Sequence, residues 1–253
     1  MAIYETEALV LHRVDFSNTS QILDLFSRER GRVSVLAKGA REYSRRAFRL
    51  VDLLYHGRAI VFEKPSREIQ ILADFETITH FPGLGRRLDR YHAGLHLLNL
   101  LRRATRPEAA ERRLFGLAVK ALGRFAAASP DRLPGDVIAF DVRLLGLLGF
   151  APVLDGCPEC GRRHAPAAAT CFRPAAGGCL CPACAPAAPP GRDLPLTGAG
   201  RRLLQQLGRL ASADRDRLEL EARPLAEARK TLNLALTWWL EAELPMLRYL
   251  LPP

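Results

Sequence analysis

The sequence predicts an α+β multidomain protein: a small N-terminal β-barrel, then an α-helical domain with an inserted four-cysteine zinc module. Short alternating apolar segments fill the first 80 residues, as expected of strands. From about residue 84 the apolar residues recur at helical spacing. All six cysteines lie between Cys157 and Cys184. These changes divide the chain into residues 1–80, 81–153, 154–190 and 191–253.

The first 80 residues contain several strand-like segments separated by turn signals. The segment 32–38 alternates, with Val33 and Val35 on one face and Arg32 and Ser34 on the other. Five or six strands in this length predict a small closed barrel, because closure removes unpaired strand edges. We interpret it as an OB-fold, the barrel of this kind often used on oligonucleotides. The strands are predicted at residues 7–12, 20–26, 32–38, 50–55, 58–63 and 68–75.

A basic stretch interrupts the barrel pattern after the third predicted strand. Residues 28–49 contain eight Lys and Arg residues against two Glu residues, with Tyr43 and Phe48 interleaved. Proteins that bind single-stranded nucleic acid combine a basic groove with aromatic side chains on which bases stack. The alternative is a solvated loop whose aromatic residues cap the barrel core. We favour DNA binding, with the candidate residues Arg32, Lys38, Arg41, Tyr43, Arg45, Arg46, Phe48 and Arg49.

The net charge also favours a polyanionic partner. It is +10, and residues 81–153 contribute most of it, with 12 Lys and Arg against 6 Asp and Glu. Phosphate contacts release counterions and so drive association with such a chain. A general bias toward Arg, Ala and Pro would explain why the chain uses Arg in place of Lys. It would not explain why basic residues outnumber acidic ones.

The composition places the chain among globular proteins of a reducing compartment. No apolar run approaches the length that spans a bilayer. The first residues lack the basic and apolar regions of a secretory signal, so we expect a cytoplasmic protein.

Helical periodicity covers most of the chain after residue 84. The apolar stripes of these segments are expected to form a common core, although one groove could accept a partner. The helices are predicted at residues 84–98, 114–125, 137–148, 200–210 and 224–240.

The sequence has no recognisable catalytic motif, and we expect it not to be an enzyme. His92 and His96 are four residues apart, as in helical zinc proteases, but Ala93 stands where that motif has its Glu. Gly198 and Gly200 lack the third glycine of a dinucleotide-binding loop. We therefore interpret His92 and His96 as a packed or surface pair, and Gly198 and Gly200 as the start of a helix.

Two Cys-x-x-Cys pairs separated by about twenty residues predict a structural zinc site. A closed four-sulfur site leaves no position for substrate. A disulfide cluster and a redox Cys-x-x-Cys are less consistent with a reducing compartment and with the absence of a βαβ pattern. The ligands are predicted to be Cys157, Cys160, Cys181 and Cys184, chosen by register with the second pair. Cys171 and Cys179 are left over, and His164, four residues after Cys160, is an alternative ligand but the weaker choice.

Several segments resemble the RecO recombination mediators. They are Thr6-Glu-Ala-Leu-Val-Leu-His, Ser20-Gln-Ile-Leu, Phe26-Ser-Arg-Glu-Arg-Gly-Arg-Val-Ser-Val and Leu36-Ala-Lys-Gly-Ala-Arg. Phe172, Gly177-Gly178 and the two cysteine pairs resemble the zinc region of many members. The C-terminal helices match in character alone.

This resemblance implies a protein that binds single- and double-stranded DNA and anneals complementary strands. It implies that the protein acts together with RecR, contacts the single-stranded-DNA-binding protein and acts indirectly on the RecA filament. It also implies a cytoplasmic protein associated with the nucleoid. By position, the turn at residues 38–41 and the basic loop after it would touch DNA. The additional cysteines and the long Ala- and Pro-rich spacer depart from the family pattern. The competing hypotheses are a zinc-ribbon interaction or transcription-type module, and an undetected nuclease.

Overall fold

The computed structural model describes residues 2–40, 51–185 and 193–241 and forms two compact units, Met1–Ala126 and Ala127–Pro253. The division falls inside the predicted helical segment 81–153. Within the described part, no helix has the length and apolar character needed to cross a membrane. The strands are β1 (Ala2–Asp15), β2 (Gln21–Ser27), β3 (Gly31–Ala37), β4 (His56–Glu63), β5 (Gln70–Thr79), β6 (Thr170–Arg173), β7 (Gly178–Leu180) and β8 (Leu194–Leu196). The helices are α1 (Leu88–Ala104), α2 (Arg112–Ala127), α3 (Leu133–Leu147), α4 (Gly198–Arg209), α5 (Ser212–Arg215) and α6 (Ala222–Trp239).

Strands β1–β5 form a closed barrel in the order β1-β2-β3-β5-β4, because β4 pairs back onto β1. All neighbours are antiparallel except β3 and β5, which are parallel and share the three residue pairs from Val35↔Gln70 to Ala37↔Leu72. A bulge in β1 between Val10 and His12 shifts its register against β2. The predicted OB-fold-like, β-rich start followed by helices is therefore confirmed.

The barrel forms because alternate side chains of these strands are apolar and point to one interior. In β3, Val35 and Ala37 are fully buried, while Ser34 and Leu36 are partly exposed. Such alternation buries one face of each strand and fixes its register. The interior cluster comprises Ala8, Val10, Leu23, Leu25, Val35, Ala37, Val51, Ala59, Val61, Leu72 and Phe75.

The strand predicted at residues 50–55 is wrong for its described part, 51–55, which forms a turn. Leu54 has a φ of 69°, and the backbone N–H of Tyr55 donates to Asp52 O at 3.2 Å. Val51 and Leu54 are nevertheless buried, at 7% and 4% exposure. The apolar pattern therefore reported burial correctly but did not distinguish a packed turn from a strand.

Helices α1 and α2 complete the first unit. Phe115 of α2 lies 5.7 Å from the ring of Phe26 in β2, and both residues are buried. The segment before α2 approaches Gly31 so closely that a Cβ there would lie 2.4 Å from Ala109 O. Gly31 also has a φ of +67°, so both its space and its conformation require glycine.

The second unit combines α3, α4 and α6, which pack against one another, with a three-stranded sheet of order β7-β6-β8. The Thr197 hydroxyl caps α4 by accepting from the Gly200 N–H at 3.2 Å. The sequence did not predict the short strands β6–β8, since each has four residues or fewer. Near the end of α6, Trp238 is 47% exposed and Trp239 is partly exposed.

Candidate metal centre and nucleic-acid surface

Four cysteine sulfurs converge in the second unit. The Sγ atoms of Cys157, Cys160, Cys181 and Cys184 all lie within 4.8 Å of one another. The distance from Cys160 Sγ to Cys181 Sγ is 3.7 Å. A tetrahedron with the usual Zn–S distance of about 2.3 Å has an edge of about 3.8 Å. The donor set and its spacing therefore fit a four-thiolate metal ion.

Two turns of similar design present these sulfurs. In the first, the Gly161 N–H donates to Cys157 O at 2.9 Å, and Gly161 takes a φ of +70°. In the second, the N–H groups of Cys184 and Ala185 both donate to Cys181 O at 3.0 Å. Because each turn folds the chain back within four residues, both of its sulfurs face the same point.

The backbone around the cluster favours thiolates. Burial opposes ionisation of Cys157, but backbone N–H groups of Cys181, Cys160 and Glu159 lower its pKa to about 6. Backbone N–H donation from Cys184 likewise lowers the pKa of Cys181. Hydrogen bonds from the Cys184 thiol to the sulfurs of Cys181 and Cys160 favour its protonated form and raise its pKa to about 12. A divalent cation would replace this proton, because a coordinating thiol is deprotonated outright.

The remaining candidates have other partners. Cys179 is not in the four-sulfur group; its backbone O contacts the His164 ring at 2.9 Å, and burial raises the pKa of its thiol to about 11. Cys171 lies 3.7 Å from the Asp193 carboxylate. Cys179 is fully buried in β7 and Cys171 lies in β6, so both form part of the small sheet that supports the second turn.

Two arginines hold the module in shape. Arg173 donates to Asp193 through Nε and Nη2 at 3.0 and 2.7 Å and approaches Glu159 at 3.6 Å. The hydrogen bonds from Arg173 hold the pKa of Asp193 below its usual value. Arg201 of α4 is 2% exposed and donates to Ala165 O at 2.7 Å and Leu154 O at 3.2 Å. A single arginine thus joins α4 to both sides of the first cysteine turn.

The predicted DNA-binding residues lie in the first unit, and the structure describes two of them. Lys38 is exposed immediately after β3, where Gly39 has a φ of +72°. Arg32 is partly exposed, and its Nη1 donates to Arg102 O at 2.9 Å. The other six lie outside the described residues: Arg41, Tyr43, Arg45, Arg46, Phe48 and Arg49.

A broad groove beside Arg32 was missed by sequence reasoning. It has a volume of about 940 Å³ and is lined by residues that include Arg32, Arg67 and Ser34. Arg30 also lines it, with its guanidinium 4.5 Å from the centre of the Tyr4 ring and 3.4 Å from Glu63. The Arg30-Gly31 pair indicated only a turn in the sequence. Because Tyr4 is far from Arg30 along the chain, no local pattern could reveal their contact.

Three further arginines, Arg86, Arg87 and Arg90, lie around the start of α1, and two of them make internal contacts. Arg87 forms an ion pair with Asp89. Arg90 donates to Ala126 O at 2.8 Å. Arg86 is exposed.

Family models match almost the whole chain. The model described as "Recombination protein O N terminal" matches residues 1–81 and the model described as "Recombination protein O C terminal" matches residues 85–248. The first covers the barrel, and the second covers all helices and the four-cysteine cluster.

Curated relatives agree with these matches. A protein from Nocardioides sp. is 32% identical over 254 residues, which is 98% of each chain. One from Rubrobacter xylanophilus is 34% identical over 236 residues, covering 90% of this chain and 84% of that protein. One from Rhodopirellula baltica is 33% identical over 180 residues, covering 71% of this chain and 66% of that protein. Each is named DNA repair protein RecO, and the chain described here belongs to the RecO family.

Proposed function

We infer that this protein is a DNA repair and recombination mediator that binds single- and double-stranded DNA and anneals complementary strands. With RecR it helps to load the RecA recombinase, and it contacts the single-stranded-DNA-binding protein. Family membership along nearly the whole chain carries this inference. The exposed Lys38 and the net charge of +10 support a phosphate-binding role for the first unit.

The four-cysteine cluster is proposed to hold one structural Zn²⁺ per chain. The four thiols, their tetrahedral spacing and the hydrogen bonds that favour thiolates support this assignment. With four protein sulfurs the coordination sphere is full, so the ion would organise the fold of the module and would not bind substrate. The role of the ion would be structural, in a protein that acts in the cytoplasm.

Strand annealing in the absence of nucleotide and Mg²⁺ tests the proposed function. Two complementary labelled oligonucleotides are mixed with the protein, and duplex formation is followed with time by energy transfer between the labels. We expect the protein to accelerate annealing several-fold over the spontaneous rate. A zinc-ribbon interaction module would bind DNA weakly without accelerating annealing, and that result would overturn the proposal.

A parallel incubation with a divalent cation tests whether the protein is an enzyme. We propose that it is not, and that labelled single- and double-stranded DNA stays intact with Mg²⁺ or Mn²⁺ present. Cleavage that follows the protein through purification and changes with a point substitution would instead identify a nuclease.

A further inference from the structure

A second feature of the first unit is a compact cavity that is separate from the metal centre and from the groove beside Arg32. It has a volume of about 290 Å³ and lies where the turn after residue 50 meets the segment between β5 and α1. Tyr55 and His80 line it, with ring centres 5.5 Å apart and ring planes inclined by 37°. Tyr91 of α1, which is 37% exposed, also lines it. The cavity is thus lined by aromatic rings from three separate segments.

The backbone that shapes this cavity is strained. Leu54 has a φ of 69° and Phe81 a φ of 47°, and both residues line the cavity. They are two of the four non-glycine residues with positive φ in the described part of the chain. A bulky residue in this region is a conformational outlier, and such strain concentrates at ligand-binding positions.

Specific contacts maintain the strained conformation. The Leu54 N–H donates to Val10 O at 3.3 Å, and Tyr55 O accepts from the Val10 N–H at 2.9 Å. On the other side, the Phe81 N–H donates to the Thr79 hydroxyl at 3.2 Å. Because both walls are bonded to barrel strands, the cavity exists before a ligand arrives.

One acidic group provides an acceptor at the cavity. Asp52 lines it, and its side chain is 47% exposed. Its Oδ2 lies 3.2 Å from Arg13 Nη1, and its Oδ1 accepts from the Leu53 N–H at 2.6 Å. A carboxylate has about four lone-pair sites, so it can still accept from a ligand amine. Carboxylates accept in this way from the exocyclic amine of cytosine.

We propose that this cavity receives a single unstacked nucleobase of single-stranded DNA. The aromatic side chains offer stacking surfaces, Asp52 offers an edge acceptor, and Arg13 places a positive charge beside it. An aliphatic peptide side chain would use neither the acceptor nor the ring faces. Residues 51–55 also follow the predicted phosphate-binding loop directly in sequence. This inference rests on the proposed DNA binding and adds a base-specific contact to it.

Gly85 provides a position at which side-chain volume can be added to the cavity lining. It lines the cavity, and no atom lies within 4 Å of the position that a Cβ would take there. The substitution Gly85→Leu therefore extends a side chain into open space without displacing the core. Gly123→Leu is the matched control, because Gly123 of α2 has equally open surroundings and does not line the cavity.

The test compares an oligodeoxycytidine with a strand of equal length that carries abasic positions. Stacking of one base on aromatic side chains corresponds to about a 5- to 150-fold change in affinity. We expect Gly85→Leu to weaken binding of the cytidine strand by a factor in this range. Gly85→Leu should bind the abasic strand as the wild type does. Gly123→Leu should bind both strands as the wild type does. His80→Ala, at an exposed residue, should shift affinity in the same direction as Gly85→Leu.

Two results would overturn the base site while leaving DNA binding intact. One is wild-type affinity of Gly85→Leu and His80→Ala for the cytidine strand. The other is an equal loss on both strands, which would indicate general damage to the DNA surface. Wild-type protein that binds neither strand would refute the proposed function itself, and with it the base site.

Discussion

The barrel and the cysteine module reach a fixed structure by opposite routes. Eleven buried apolar residues from five strands and the turn before β4 fill the barrel interior. The corresponding cluster in the module contains three buried residues, and two of them are Cys157 and Cys181. Burial of apolar surface stabilises the barrel in proportion to its area. The module has too little such surface, so the ion bound by its thiols would have to supply most of its folding free energy.

The largest expected effect is therefore loss of the metal. Apparent binding free energies of structural Zn²⁺ are about 10–16 kcal/mol at neutral pH. A strong chelator, or Cys157→Ser, should abolish the cooperative unfolding of the module and should lower folded yield. The measurement is metal content together with hydrogen exchange resolved along the chain. Purified wild-type protein that holds less than half an equivalent of Zn²⁺ would contradict the site.

A truncation where the barrel packs against α2 should have a smaller and metal-independent effect. Phe26 is fully buried against Phe115, so Phe26→Ala should lower the free energy of unfolding by about 3–5 kcal/mol. The loss should be the same with and without chelator, because the barrel does not use the ion. Denaturant unfolding followed by barrel-specific probes measures it. A loss of stability that depends on the metal would contradict the claim that the barrel folds independently of the ion.

The next effect concerns the predicted DNA-binding loop. Arg41→Ala/Arg45→Ala/Arg46→Ala should weaken binding of all sequences alike, since phosphate contacts carry no base information. Each lost contact should reduce the log–log salt slope by about 0.7 on single strands. Tyr43→Ala or Phe48→Ala should instead cost about 1–3 kcal/mol with little change in slope. Wild-type affinity and slope in the triple variant would move the DNA site elsewhere, first to Arg86, Arg87 and Arg90 around the start of α1.

A smaller effect should appear when the pH is lowered from 7 to 5. Burial lowers the pKa of His56 below its ordinary value, and Glu7 Oε2, 3.5 Å away, compensates in part. Because the pKa of His56 is lower in the folded than in the unfolded chain, the unfolded chain binds a proton at His56 more tightly. Acidification below about pH 6.5 therefore lowers the free energy of unfolding of the barrel. In His56→Gln this contribution should disappear. Since both proteins lose metal affinity equally on acidification, the difference between them isolates His56; an identical pH dependence would contradict the prediction.

The smallest expected effect is that of Cys171→Ser. The Cys171 thiol is outside the four-sulfur group, and burial and Asp193 raise its pKa. The variant should retain a full equivalent of Zn²⁺ and wild-type thermal stability within about 0.5 kcal/mol. A drop in metal content would show that the thiol takes part in binding.

The sequence predicted the elements whose signals are local and repeated. Cys157 and Cys160 share one turn, so their spacing alone indicated a metal site, and the long periodic helices were found in the same way. Residues 51–55 failed because apolar residues are buried in turns as well as in strands. Tyr91 and His80 did not stand out in the sequence, because a cavity between segments depends on tertiary structure that no local pattern reports.

The parallel joint between β3 and β5 has a consequence for how the barrel folds. Strands β1, β2 and β3 are consecutive hairpin neighbours, so their contacts are local and form quickly. The joint connects Val35 with Gln70 and has only three residue pairs, whereas β1 and β4 share eight. We expect the ring to close last at this joint during folding and to open first there in the native state. Amide protons along it should then exchange with solvent through local opening, well before those between β1 and β4.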